Sequence, residues 1–301
     1  MDDRRSGRRR EAAELLAALE RQAPFPGAPR VGLTGSPGAG KSTLLDALVR
    51  RLRARGETVA IIAVDPSSQK SGGALLGDRI RVRSAAGDPG VFFRSMAARE
   101  RLGGLADATR AGSLVLAAAF DRVFVETVGV GQSEMEVASL VDTLVYLVNP
   151  GSGDTLQFMK AGLLELPDLF AVNKADLGAE AERTASELVS GLGLARSGAE
   201  WTPPVLRISA RDGTGVDALV DALDAHWQHL VRSDALRERR RRGRDAFVRK
   251  ALEHRYGSHG LEQLGGPKAI ALRLAERRDA ACFALVDELG REIEESLQKS
   301  R

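Results

Sequence analysis

Eight residues constrain this chain more than any others. Gly35-Ser36-Pro37-Gly38-Ala39-Gly40-Lys41-Ser42 fits G-x-x-x-x-G-K-[ST] at every fixed position. An apolar run of strand length, Val31 to Thr34, precedes it, and a helical segment, Lys41 to Arg53, follows. That order dictates a strand, a tight loop and a helix whose N-terminus faces an anion. The glycines let backbone N–H groups curl around a β-phosphate, and the helix end adds partial positive charge. Lys41 is placed to reach β- and γ-phosphates, and Ser42 to offer its hydroxyl to Mg²⁺.

The chain around this loop repeats the same alternation. Strand-length apolar runs occur at Val31 to Thr34, Thr58 to Val64, Val91 to Arg94, Arg122 to Glu126, Thr143 to Val148, Leu169 to Val172 and Val205 to Ile208. Several are apolar throughout, as central strands covered on both faces must be. Helical segments fit Lys41 to Arg53, Leu105 to Ala118, Asp154 to Glu165, Glu180 to Leu192 and Val216 to His229. Alternating strand and helix predicts one doubly wound α/β domain on a mostly parallel sheet. Residues 1–28 read as a helical extension ahead of a Pro/Gly linker, 29–233 as the phosphate-loop domain, and 234–301 as a helical region. In the last, Cys282, Val286, Leu289, Ile293 and Leu297 form a helix stripe that faces either a partner subunit or the parent domain.

A second motif chooses the base. Asn173-Lys174-Ala175-Asp176 ends the strand Leu169 to Val172, as N-K-x-D does in guanine-reading loops. One carboxylate at Asp176 can accept from both the N1–H and the 2-amino group of guanine, and adenine offers neither. A site built on such bonds rejects the wrong base by ~10⁴ or more. Asn173 is expected to fix the loop and touch the other edge of the base. Ser209-Ala210, after the last strand, resembles the short pair that supports guanine O6 through a backbone N–H. The three motifs in this order point to GTP and GDP rather than adenine nucleotides. The nucleotide candidates are thus Gly35 through Ser42 with Thr43, and Asn173, Lys174, Asp176, Ser209 and Ala210.

Two carboxylates, Asp65 and Glu126, close strands at the mouth of the sheet, where a hard Mg²⁺ is held. Glu126 begins Glu-Thr-Val-Gly where most such proteins carry an aspartate, and its extra methylene allows contact either directly or through a water. Gly129, Gly131 and Gln132 form a turn suited to sensing a γ-phosphate. Asp78 lies in another Gly-rich acidic loop, as a ligand or as a solvated acid. His226, His229, His254 and His259 lie in late helical segments and read as packing or surface residues.

Composition removes other classes. One cysteine, Cys282, excludes an internal disulfide framework and a cysteine-rich metal site, and suits a reducing compartment. The N-terminus is charged without an apolar core, so a cytoplasmic protein with no membrane span is expected. Net charge is only +3, which gives no global field for nucleic acid. The arginine run Arg237 to Arg244 lies among Asp234, Glu238 and Asp245 with no aromatic interleaving and reads as a solvated helix face.

Taken together, Gly-Ser-Pro-Gly-Ala-Gly-Lys-Ser-Thr, Val-Asp-Pro-Ser-Ser, Ser-Gly-Gly-Ala-Leu-Leu-Gly-Asp, Glu-Thr-Val-Gly-Val-Gly-Gln-Ser-Glu and Ala-Val-Asn-Lys-Ala-Asp resemble the MeaB/ArgK family over roughly residues 30–230. Pro150-Gly-Ser-Gly-Asp154, with Gln157 and Lys160, resembles the extra switch of that family. The resemblance implies a SIMIBI-class GTPase, slow without its partner. It also implies a homodimer, with the C-terminal region as a candidate dimerisation arm. The implied partner is an adenosylcobalamin-dependent acyl-CoA mutase, typically methylmalonyl-CoA mutase, whose cofactor loading the GTPase gates and which it protects from inactivation. By the same resemblance Asp65 and Asp78 become Mg²⁺-site candidates and Glu126 a γ-phosphate-side residue. Asp154, Gln157 and Lys160 become signalling-switch residues, with Lys41, Glu126 and Lys160 the catalytic candidates. Related GTPases insert metals into other enzymes, and a P-loop kinase is a further alternative.

Overall fold

The computed structural model describes residues 6–66, 87–98, 104–127, 137–151, 165–195 and 200–299. In chain order these form α1 (Ser6–Gln22), β1 (Arg30–Gly35), α2 (Lys41–Ala54), β2 (Val59–Pro66), β3 (Val91–Ala98), α3 (Gly104–Ala117), β4 (Arg122–Thr127), β5 (Thr143–Val148) and β6 (Leu169–Val172). There follow α4 (Ala179–Ala195), β7 (Val205–Arg207), α5 (Val216–Arg232), α6 (Ala235–Gln263), α7 (Gly266–Glu276) and α8 (Cys282–Lys299).

The seven strands make one sheet in the order β3-β2-β4-β1-β5-β6-β7, with every pair parallel. The uninterrupted apolar runs explain this, because β4 and β5 are buried at every residue and need cover on both faces. α2 and α5 cover one face, joining Leu44, Leu48 and Leu219 to Leu33, Phe124 and Leu147. On the other face Val137, Val141 and Leu116 of α3 meet Ile62, Val125 and Leu144. The chain runs from β1 outward to β2 on one side and crosses to β5 on the other. β1 therefore ends at the topological switch point, where doubly wound sheets hold their ligands.

The strand expectations hold to within a few residues, except that β3 runs on to Ala98. The expected helix at 154–165 lies almost entirely outside the described residues. After Asp234 the described residues form α6, α7 and α8, with a break from helical geometry at Gly257 inside α6. Gly265 and Gly266 both take positive φ, 89° and 78°, and Pro267 then starts α7. The α8 stripe faces the parent chain. Cys282, Val286, Leu289 and Ile293 are buried with Ala13 and Leu16 of α1 and with Phe247, Val248 and Leu252 of α6. The Cys282 N–H donates to Glu20 Oε2 of α1 at 2.8 Å.

The arginine run departs from its expected solvated face. Arg239 grips Asp168 with two bonds of 2.8 and 2.7 Å. Arg240 donates to both oxygens of Asp142 at 2.8 Å and to the Pro26 carbonyl at 2.7 Å. Arg244 is buried and donates to the carbonyls of Leu274, Arg277 and Ala280 at the end of α7. Only Arg237 and Arg242 keep the exposure expected of the whole run. Asp142 and Asp168 stand at the amino ends of β5 and β6, where α6 crosses, and Asp142 is almost fully buried. Burial pushes the Asp142 pKa up, but the hydrogen bonds and charge of Arg240, with Arg30 nearby, outweigh this and hold it below the usual carboxylate range.

Arg240→Ala removes both guanidinium bonds from that carboxylate and leaves it the backbone N–H of Arg30. Breaking one side of a buried ion pair costs about 3–5 kcal/mol. A loss near 3 kcal/mol is expected in urea unfolding, and a loss below 1 kcal/mol would contradict the clamp. Among the histidines, His226 is buried, with Nδ1 2.8 Å from Thr143 Oγ1 and the Trp201 ring centroid 4.7 Å away. Burial pushes its pKa down to about 4, so it stays neutral and packs.

Candidate functional site

The phosphate loop closes β1 and opens α2 as its residue types require. Gly40 adopts φ 94°, and a Cβ there would meet the Asn173 amide nitrogen at 2.4 Å. Gly38 has φ 78°. Two left-handed residues fold the backbone back on itself, and the first turn of α2 keeps N–H groups that no helical carbonyl can take. Lys41 is buried, and its Nζ donates to the carbonyls of Gly35 at 2.6 Å and Ser36 at 2.9 Å. The ammonium thus lies inside the loop, where a polyphosphate could replace the two carbonyls.

The base-reading candidates meet this loop through Asn173. Its Nδ2 donates to the Ala39 carbonyl at 2.7 Å, and its Oδ1 accepts the Ala210 N–H at 3.0 Å. One buried side chain therefore ties the phosphate loop, the end of β6 and the loop after β7. The Ala210 N–H, expected to support guanine O6, is engaged by Asn173 here. Lys174 takes the left-handed conformation, φ 57° and ψ 42°, and starts the single 3-10 turn Ala175–Leu177 that carries Asp176. Ser209 is buried in a tight loop, accepting the Gly213 N–H at its carbonyl and donating its own N–H to Thr214.

Sequence reasoning missed Arg211. Its guanidinium is 3.3 Å from Asp176 Oδ2, although the arginine side chain is 79% exposed. Its place directly after Ser209-Ala210 was the only available signal.

At the carboxyl end of β4, Glu126 is buried and its Oε1 accepts the Ser42 hydroxyl at 2.8 Å. A hydroxyl and a carboxylate converging on one point at the mouth of the sheet supply hard oxygen donors, and so the residues fit a Mg²⁺ ion. Asp65 lies near the end of β2, one strand away from Glu126, whose register partner there is Ala63. Asp78, Gly129, Gln132, Asp154, Gln157 and Lys160 lie outside the described residues. No described helix is long and apolar enough to cross a membrane.

The family model for the methylmalonyl-CoA mutase-associated GTPase MeaB matches residues 1–261. The chain belongs to the MeaB family. MeaB relatives include a protein of Pyrococcus abyssi named a putative GTPase, 49% identical over 70% of this chain and 66% of its own length. The methylmalonic aciduria type A homolog of Mus musculus, a mitochondrial protein, is 39% identical over 77% of this chain and 59% of its own. Among solved structures, one named LAO/AO transport system kinase superposes with a TM-score of 0.69. It shares 30% identity over 91% of this chain and 89% of that one. The fold class and the MeaB resemblance read from the motifs therefore hold.

Proposed function

We propose that this MeaB-family chain binds and hydrolyses GTP as a chaperone for an adenosylcobalamin-dependent acyl-CoA mutase, with methylmalonyl-CoA mutase the first candidate. One observation carries the nucleotide part. Asn173 ties the phosphate loop to the guanine-reading loop, so that a single buried side chain sets the distance between phosphate and base subsites. The family description supports the client, and the relatives named GTPases support hydrolysis.

In this reading Lys41 leaves the carbonyls of Gly35 and Ser36 for the β- and γ-phosphates. Asp176 leaves Arg211 and accepts from the guanine edge. Ser42 and Glu126 hold Mg²⁺, with Asp65 and Asp78 as further candidates, and the ion would supply charge neutralisation at the phosphates. Hydrolysis is then mainly positioning and electrostatics, which suits a slow timer that a partner accelerates. Gly129 and Gln132 sense the γ-phosphate, while Asp154, Gln157 and Lys160 pass the state to the client. The protein acts in the cytoplasm as a homodimer. Because the α8 stripe is buried within the chain, the dimer uses the outer faces of the 234–301 helices.

The test is steady-state GTP hydrolysis with and without the acyl-CoA mutase of the same organism. Strong stimulation that Lys160→Ala removes, with GTP affinity intact, is expected. Tight GTP binding without stimulation by any cobalamin-dependent mutase removes the client from the proposal. Since the structural relative is named a kinase, phosphate transfer to a co-purified protein is the outcome that would replace it.

A further inference from the structure

The last two residues of β4 point to opposite faces of the sheet. Glu126 shares its register with Leu33 and Ala63, and Leu33 packs on the α2 face. Thr127 shares its register with Val64, which packs on the other face with α3. Glu126 meets Ser42 at the start of α2. On the far side the Thr127 hydroxyl donates to the Thr34 hydroxyl at 3.0 Å. Thr34 is the residue of β1 immediately before the phosphate loop.

Both threonines are sealed from solvent, at 0% and 1% exposure. Packing does not explain them. Valine has the same branched shape, and a buried hydroxyl pair gains only about 1 kcal/mol net after desolvation. What the pair adds is direction, because it fixes the end of β4 against the end of β1.

We infer that Thr127 is a positioning residue for Glu126, holding the carboxylate in register with Ser42 through its hydrogen bond to Thr34. The inference rests on the GTP-hydrolysis reading above. With Thr127 in place, the strand end is pinned on both faces at the point where it leaves the sheet. Without the hydroxyl, the strand end keeps its apolar packing but can shift by tenths of an ångström. Misplacement of 1 Å at such a site costs on the order of 10²-fold in rate.

The experiment compares Thr127→Val, Thr127→Ser and Thr34→Val with wild type. Three quantities are read: kcat for GTP, the affinity for a fluorescent GDP, and the Mg²⁺ concentration that half-maximally tightens GDP. Thr127→Val is expected to leave Mg²⁺-saturated GDP affinity within twofold, to lower kcat by about tenfold, and to raise the Mg²⁺ requirement severalfold. Thr127→Ser restores both. Thr34→Val reproduces the defect, and the double valine variant is no worse than either single one, as expected for two halves of one interaction. Unchanged kcat and Mg²⁺ requirement in Thr127→Val overturn the inference. So does a loss of GDP affinity and thermal midpoint that serine fails to restore. A wild-type protein that binds no GTP overturns the parent reading and this one with it. An active wild type with an unaltered valine variant overturns this one alone.

Discussion

Lys41→Ala is expected to raise the Kd for GTP by at least about 100-fold. Lys41 is the one charged residue of the loop Gly35–Ser42, and it is only 7% exposed. In such a site a charge-assisted bond is worth about 1.5–3 kcal/mol. One bond to each of two phosphates then amounts to at least about 3 kcal/mol, or roughly a factor of 100. The fold should survive. The two bonds lost, from Nζ to the Gly35 and Ser36 carbonyls, hold the loop and none of the apolar core beneath the sheet. Isothermal titration of GTP and of GDP with a thermal melt of the same samples checks both parts. Affinity within twofold of wild type would remove the phosphate-loop assignment.

Asp176→Asn should exchange one base for another. The carboxylate is expected to accept two hydrogen bonds from guanine, worth about 3–6 kcal/mol together, so GTP should weaken by about 10²–10⁴-fold. Xanthine carries an oxygen in place of the 2-amino group. The asparagine amide can donate to that oxygen while its carbonyl accepts N1–H, so xanthosine triphosphate should become the preferred ligand. Arg211 does not confound the result. Its pair with Asp176 is largely solvent-exposed, and such pairs contribute about 0–1 kcal/mol. Competition of the two nucleotides against a fluorescent GDP reads the preference. A variant that still prefers GTP would show that another group reads the base.

The parts of this molecule that the sequence disclosed are those written in local pattern. β4, β5 and β6 were visible because a strand buried on both faces carries a run of apolar residues, here Val123–Val125, Leu144–Val148 and Leu169–Val172. The phosphate loop was visible because its glycines are dictated by backbone conformation. The clamp on α6 was hidden for the opposite reason. Arg239 and Asp168 are 71 residues apart, and Arg240 and Asp142 are 98. Nothing in the local charge pattern around Arg237–Arg244 separates a clamp from a solvated face. The α8 stripe was legible as a helix but silent about its partner, since Ala13 and Leu16 of α1 lie at the other end of the chain. Asn173 was legible as a base-loop residue, whereas its bond to Ala39 depends on how close β1 and β6 bring the two loops.

The bond between Glu20 and Cys282 spans 262 residues, and that span sets a schedule for the nascent chain. Ribosomes add about 5–20 residues per second. α1 therefore emerges tens of seconds before α8, which supplies much of the cover for Ala13 and Leu16. During that interval the early helix presents an unfinished apolar side to the cell. The sheet can form in the meantime, because its strands lie between the two ends. A product lacking α8 would keep α1 against α3 but leave its α8-facing side uncovered, the kind of apolar surface that holding chaperones and proteases recognise.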